Sequence, residues 1–227
     1  MNNSKVRSNS SASVCAVIPF YNEKNTLSRV LDLTSKYVDH IFAINDGSDD
    51  DLYLEEKKKL DVSFIELEKN YGKGKALSKG FEAAVSNGFE LVVTIDADLQ
   101  HDPEYIPDLI SGIRDFDIVI GNRLKNLKEM PLQRRLSNKL TSYFLKIKTG
   151  QKIIDSQCGF RAYKSKVINE VKTIYNGYEA ESEIFIKAAK KGYRIGFIDI
   201  TTIYGTGKSK MRPLQAITGF IKVLMRS

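Results

Sequence analysis

Asp96-Ala97-Asp98 places two carboxylates one residue apart, where the apolar run Val92-Val93-Thr94-Ile95 meets a polar loop. Such carboxylates offer hard oxygen ligands to a divalent cation, and Mg2+ or Mn2+ normally shares such sites with substrate phosphates. An Asp-x-Asp by itself is often a solvated turn, so its position at the end of a buried strand is what singles it out. Gly72-Lys73-Gly74-Lys75 lacks the spacing of a phosphate-binding loop. It reads as a tight turn and helix start whose amides face the pocket, with Lys73 adding charge. Asp46, in Asn45-Asp46-Gly47-Ser48, is either a ligand contact or the turn partner of a positive-φ glycine.

The elements that must hold these residues alternate. Val14 to Pro19 is a short, continuously apolar strand of the kind covered on both faces. Asn22 can cap the helix over 25–37. A second strand, Ile41 to Ile44, a helix near 49–59 and a third strand, Val62 to Leu67, follow. A helix through Val85, the strand Phe89 to Ile95, a helix opening at Pro103 and a strand at Asp117 to Ile120 complete the pattern. This order predicts an α/β fold, a single Rossmann-like domain whose mostly parallel central sheet is flanked by helices. Later come a basic amphipathic helix over 131–148, an irregular strand over 153–163, a helix over 180–191, a strand over 193–200 and a helix over 213–226. The domain is expected to span 14–212, after a polar tail at 1–13 and before a C-terminal helix at 213–227. Ligands of open parallel sheets bind outside the carboxyl ends of the strands, where Asp46, Asp96 and Asp98 fall.

A net charge of +7 points to an anionic partner, phosphate or lipid headgroups. No nucleic-acid module accompanies it, so nucleic acid is excluded as a partner. Two cysteines with neither ligand spacing nor a disulfide framework favour a reducing, cytoplasmic setting. No signal segment and no run of 18 apolar residues is present, so a peripheral membrane contact is the only membrane association expected.

Ile18-Pro19-Phe20-Tyr21-Asn22-Glu23, Asn45-Asp46-Gly47-Ser48-Asp49-Asp50, Asn70-Tyr71-Gly72-Lys73-Gly74 and Asp96-Ala97-Asp98-Leu99-Gln100 occur in that order at natural intervals. Together with Gly121-Asn122-Arg123, Asp155 to Arg161 and Ser209-Lys210, they resemble glycosyltransferase family 2. Within it, they are similar to the dolichol-phosphate mannose synthase and polyprenyl-phosphate glycosyltransferase group. The resemblance implies a GT-A fold and inverting transfer from a UDP- or GDP-sugar, with Mg2+ or Mn2+ as cofactor. It implies that Pro19, Tyr21 and Glu23 line the nucleotide pocket and that Asp46 contacts base or ribose. Asn45 stands where the family usually has another aspartate and brings no charge. Asp96, Ala97 and Asp98 would hold ribose and metal, with Asp98 and Gln100 the favoured metal ligands. Arg123 and Lys210 would bind diphosphate or acceptor phosphate, and Arg161 joins Asp96 and Asp98 as a residue kept for chemistry.

The acceptor decides whether a base is needed. A hydroxyl acceptor, on a glycan for example, requires one, and Glu179, Glu181 and Glu183 are the candidates, unless they form a solvated helical face. A polyprenyl phosphate is already an anion and needs only cations to hold it, for which Arg134, Arg135, Lys139, Lys208 and Arg212 are available. Leu132, Leu136, Leu140, Phe144 and Leu145 interleave with Arg134, Arg135, Lys139 and Lys146, so the 131–148 helix either lies on an anionic membrane or packs its stripe on the core. Packing is the commoner fate and the expectation here. His101 reads as neither ligand nor base. A sugar-nucleotide pyrophosphorylase would need a glycine-rich loop after the first strand, where this chain has Phe20-Tyr21-Asn22-Glu23. A non-catalytic nucleotide-sugar binder is the alternative of another class.

Overall fold

The computed structural model describes residues 12–50, 62–124, 130–202 and 213–226, the side chains of 213–218 excepted. β1 (Val14–Phe20) is buried at every position and lies between β2 and β4 in the sheet. α1 (Leu27–Thr34), β2 (His40–Asn45), β3 (Ser63–Glu66), α2 (Lys73–Ser86) and β4 (Leu91–Thr94) follow. A 3-10 turn at Pro103–Tyr105 leads into α3 (Ile106–Gly112) and β5 (Ile118–Asn122). The remainder is α4 (Leu132–Thr149), β6 (Arg161–Lys164), α5 (Ser165–Glu170), α6 (Glu179–Lys190), β7 (Ile195–Asp199) and α7 (Pro213–Arg226).

The described strands form one seven-stranded sheet in the order β3-β2-β1-β4-β6-β5-β7. Every pairing is parallel except those of β6, which runs antiparallel to both β4 and β5. The expected α/β class and its mostly parallel sheet are therefore observed. The chain order reverses at β1, with β2 on one side and β4 on the other, and a crevice opens at the carboxyl ends of such a pair.

α2 lies on this half of the sheet with Ala76, Leu77, Phe81 and Ala84 buried. It sits close because Gly80 faces Val17 and leaves no room for a side chain. The cluster of Val17, Ile18, Ile44, Val93 and Ile95 is fully excluded from solvent and fixes the strands whose ends carry the polar residues.

Several expectations change. Asn22 does not cap α1: its backbone takes a positive φ of 51°, and its side-chain oxygen accepts from Asp49 N at 2.9 Å. Of the expected 153–163 strand only the last three residues fall in β6 (Arg161–Lys164). The residues before it make side-chain hydrogen bonds instead of a ladder. α5 had no counterpart in the sequence pattern, and the helix expected near 49–59 lies outside the described residues.

The largest departure is α4. Its apolar stripe faces outward, with Leu132, Leu136, Leu140 and Phe144 all exposed, while Asn138, Ser142 and Leu145 are buried. The buried side is polar because it meets Asp155 and Ser156. No helix among the described residues is long and apolar enough to cross a membrane.

Gly80→Ala sets two effects against each other. Helix propensity gains ~1 kcal/mol, whereas overpacking against Val17 costs about 1–3 kcal/mol. We expect overpacking to win and the urea midpoint to fall. A midpoint that rises would show that α2 is free to move off β1.

Candidate active site

The polar residues meet on the rim above β1, β2 and β4. β6 contributes because it is antiparallel: Arg161 pairs with Thr94, so the loop before β6 arrives at the same rim. Thr94 Oγ1 fastens that loop by donating to Gly159 O at 2.8 Å. β5 delivers Asn122 and Arg123 from the neighbouring position.

The loops after β1 and β2 hold each other. Asn22 N donates to Ser48 Oγ at 2.9 Å, and Ser48 N to Asn45 Oδ1 at 2.8 Å. Asn45, uncharged, thus serves as a turn acceptor. Asp46 is buried, and its two oxygens accept from Tyr71 N and Gly72 N, each at 2.9 Å. Burial raises its pKa, and the two N–H groups pull it part of the way back. Asp46 is therefore an anchor for the turn that starts α2. Gly47, at φ 71°, lies against the Lys69–Asn70 backbone where no side chain fits. Pro19 is buried within β1 opposite Ile44. Tyr21 and Glu23 are half-buried at the rim, Tyr21 with its hydroxyl 3.5 Å from Asp49 Oδ2.

A chain of alternating charge runs inward from the Asp-Ala-Asp turn. Asp96 Oδ1 is 2.7 Å from Lys73 Nζ. Lys73 Nζ is 3.5 Å from Glu181 Oε2, and Glu181 Oε1 is 3.3 Å from Arg161 Nη2. The last contact is one of charge, since Glu181 Oε1 has no aligned hydrogen bond. Burial pulls the Lys73 ammonium down, but Asp96 and then Glu181 outweigh it and hold the group protonated well above its ordinary range. Burial pushes Asp96 up, and Lys73, His101 and Arg123 together bring it below the usual carboxylate range.

Asp98 differs from its neighbour. Burial and the Asp96 charge push it up to about 6, Glu23 adds to the rise, and Gln100 N, donating to Oδ1 at 3.1 Å, opposes it. Ala97 is buried between the two carboxylates. Gly159 presses on the centre of the cluster, for a Cβ there would sit 2.6 Å from both Asp96 Oδ2 and Lys73 Nζ. His101 is buried, stacked on Phe160 at 5.5 Å, with Nδ1 lacking a hydrogen-bond partner. Burial pushes its pKa down to about 4, so the ring is neutral.

Arg123 is gripped by Asp155 through Nε to Oδ2 at 2.8 Å and Nη2 to Oδ1 at 2.9 Å, with its backbone N donating to Oδ2 at 3.1 Å. Asn138 Nδ2 from α4 donates to Asp155 Oδ1 at 2.7 Å. Burial pushes Asp155 up, but Arg123 outweighs it and holds the carboxylate ionised below its usual range.

Two expectations are corrected. Arg161 is wholly buried, donates to Cys158 O at 2.6 Å and Ser156 O at 3.1 Å, and lies 4.6 Å over the Phe185 ring. It touches no open space and is a positioning residue. Among the glutamates weighed as bases, Glu181 is buried between two cations. Glu183 accepts from the Thr173 hydroxyl and Ile174 N and pairs with Lys187. Neither forms a solvated acidic face. Lys210, Lys208 and Arg212 lie outside the described residues.

Sequence reasoning gave no individual role to Asp155, Asn138, Gly159 or Tyr178, although Asp155 and Gly159 lie in a segment that carried the resemblance. Tyr178 stands near Lys73, Asp96, Glu181 and Asp98, each of which acts on its hydroxyl, although burial is the largest cause of its raised pKa. Asp155 carried a signal: it is the one acid between 130 and 169.

A family model described as Glycosyl transferase family 2 matches residues 15–172, a span that takes in every residue named above from Pro19 to Arg161. The chain belongs to this family of glycosyltransferases. The family 2 chain is 34% identical, over 90% of its own length and 90% of the relative's, to a UDP-N-acetylglucosamine–dolichyl-phosphate N-acetylglucosaminyltransferase of Methanococcus voltae. An undecaprenyl-phosphate mannosyltransferase of Micrococcus luteus is 28% identical, with 87% of each chain covered. Its fold is similar to that of glucosyl-3-phosphoglycerate synthase from Mycobacterium tuberculosis crystallised with Mn2+, UDP-glucose and phosphoglyceric acid. That likeness has TM-score 0.73 and 19% identity, covering 94% of this chain and 80% of that one.

Asp155→Asn in this glycosyltransferase should cost about 3 kcal/mol or more near neutral pH, because it removes a fully buried carboxylate that grips the largely buried Arg123 guanidinium with two hydrogen bonds. Asp155 is depressed on folding, so its contribution is present above the ordinary aspartate range and is lost as pH falls through the folded value. The two proteins should therefore converge in stability on acidification in pH-dependent urea titrations. A gap that stays constant down to the most acid point would remove the assigned role.

Proposed function

We propose that this glycosyltransferase moves a sugar from a nucleoside diphosphate-sugar to a polyprenyl phosphate, by inverting displacement at the anomeric carbon. The observation that carries this reading is the contrast at the rim. Asp96 is neutralised by Lys73, whereas Asp98 is crowded by Asp96 and Glu23. Such an excess of negative charge suits a divalent cation.

The donor set fits Mg2+ or Mn2+. Among the described residues no three His, Cys, Asp or Glu side chains gather as a complete metal cage, and these cations are commonly held by one or two carboxylates plus substrate phosphates. Asp98 and Asp96, with the Gln100 amide oxygen, are the residues that would hold it. When bound, the cation neutralises charge building on the departing diphosphate. Arg123, fixed in orientation by Asp155, supplies a guanidinium for the diphosphate or the acceptor phosphate. Lys210 is assigned the same task. Lys73 keeps Asp96 ionised and in place. Pro19, Tyr21 and Glu23 wall the nucleotide side, where Asp46 acts through the Tyr71–Gly72 turn.

The acceptor reading draws on the state of the glutamates. Glu181 has one oxygen toward Lys73 and the other toward Arg161, so both are engaged within the protein. A phosphate acceptor is already ionised at neutral pH and asks for no base. The relatives named for dolichyl and undecaprenyl phosphate support the same choice. Contact with the cytoplasmic face of a membrane accompanies such an acceptor.

Purified protein incubated with UDP- and GDP-sugars and a polyprenyl phosphate in detergent should form a lipid-linked sugar only when Mg2+ or Mn2+ is present. Asp98→Asn should lower kcat by about 100-fold or more, as for other groups that stabilise developing charge, with thermal unfolding unchanged. Turnover that survives exhaustive chelation, or a fully active Asp98→Asn variant, would overturn the metal assignment. Hydrolysis without transfer to any lipid phosphate would overturn the acceptor.

A further inference from the structure

We infer that the outward faces of α4 and α7 together form a surface that docks on an anionic lipid bilayer. α4 is turned with its polar side in. Leu132, Leu136, Leu140, Tyr143, Phe144 and Ile147 are exposed, the first two at 76% and 71%. Their spacing of three and four residues puts them on a single stripe. α7 adds Ile221 and Met225, the latter 82% exposed. Eight of the ten exposed large apolar side chains among the described residues thus lie on these two helices. The helices touch, and Lys148 Nζ of α4 donates to Leu224 O of α7 at 3.2 Å, so the exposed residues of the two helices lie side by side on the surface. A contiguous apolar patch of this kind marks an interaction site rather than ordinary surface scatter.

Charge selects the occupant. α4 carries Arg134, Arg135, Lys139, Lys146 and Lys148, and α7 carries Lys222 and Arg226, with no aspartate or glutamate on either helix. These seven cations equal the whole surplus of +7, so the rest of the chain is balanced. Lys139 and Lys146 border the apolar stripe on one side and Lys148 on the other, all exposed. Their stems can lie along the stripe with the ammonium groups at headgroup height. A second copy of this chain would set the exposed Lys139, Lys146, Lys148, Lys222 and Arg226 against the same five cations, and repulsion opposes it. An anionic bilayer satisfies both features, taking the stripe between its acyl chains and the cations against its phosphates.

The helix is held in this orientation from beneath. Asn138 and Ser142 bond Asp155 and Ser156, so rotating α4 to bury the stripe would strip Asp155 of a partner and disturb Arg123. The same residues that turn the apolar face outward thereby fix the guanidinium at the rim.

The inference goes beyond the proposed reaction, since vesicles that contain no polyprenyl phosphate and no sugar donor test it alone. In sedimentation assays the protein should bind vesicles containing phosphatidylglycerol at least about tenfold more tightly than phosphatidylcholine vesicles, a preference that salt weakens. Leu136→Glu with Ile147→Glu, and separately Lys139→Glu with Lys146→Glu, should each reduce binding about tenfold or more. Lys36→Glu, just beyond the end of α1, should leave it unchanged. All these side chains are exposed, and unchanged thermal unfolding verifies the fold. Absence of binding by the unaltered protein, equal binding to both vesicle types, or a dimer that Leu136→Glu dissociates in place of any vesicle binding would each overturn the proposal.

Discussion

Asp96, Lys73, Glu181 and Arg161 form an unbroken sequence of opposite charges passing from the rim into the core, and the architecture around them follows from the need to keep it complete. A buried charge deprived of its partner is far more costly than the pair is stabilising. α2, which carries Lys73, β4, which leads to Asp96, α6, which carries Glu181, and β6, which starts at Arg161, are therefore fixed relative to one another by electrostatics as well as by packing. Gly159 allows the four groups to close up, because any side chain there would occupy the space between Asp96 and Lys73. The reward is pre-organisation. Asp98 stands outside this sequence at the rim, where burial, Asp96 and Glu23 raise its pKa and Gln100 N and Lys73 oppose the rise.

A division of labour emerges among residues of the same chemical type. Asp46 and Asp155 are buried and spend their oxygens on protein N–H and guanidinium groups. One sets the turn that begins α2 and the other sets the direction of Arg123. Asp98 is half-buried at the rim, with Oδ1 accepting from Gln100 N. Asp96 stands between, tied to Lys73 on its inner side. Acidic residues near a catalytic rim thus serve mostly to hold loops and cations at fixed angles, and a minority face the reactants.

The parallel half of the fold was legible because buried parallel strands write themselves as continuous apolar runs, and Val14–Phe20 and Leu91–Thr94 do so with turn residues after each. The motifs at the strand ends located the rim for the same reason. What could not be read were features set by distant partners. Asn22 resembles a helix cap in local sequence, yet its amide is claimed by Asp49 across the rim. Arg161 looks like a reactive cation, and only the tertiary structure reveals that carbonyls and Phe185 enclose it. The α4 stripe has the periodicity of a core-facing helix. Period alone does not say which side is inward, and here Asp155, seventeen residues beyond Asn138, decides it.

The reversed direction of β6 has a consequence for how the chain acquires its shape. β4 is neighbour to β1 on one edge and to β6 on the other, so until Lys164 has been synthesised the growing polypeptide presents β4 as an unpaired border. At ~5–20 residues per second on the ribosome, that interval lasts several seconds. An apolar border left open is a template for association with other chains. The half of the sheet that carries the Asp96–Asp98 turn therefore has both borders of β4 paired only after a strand that arrives late in the chain.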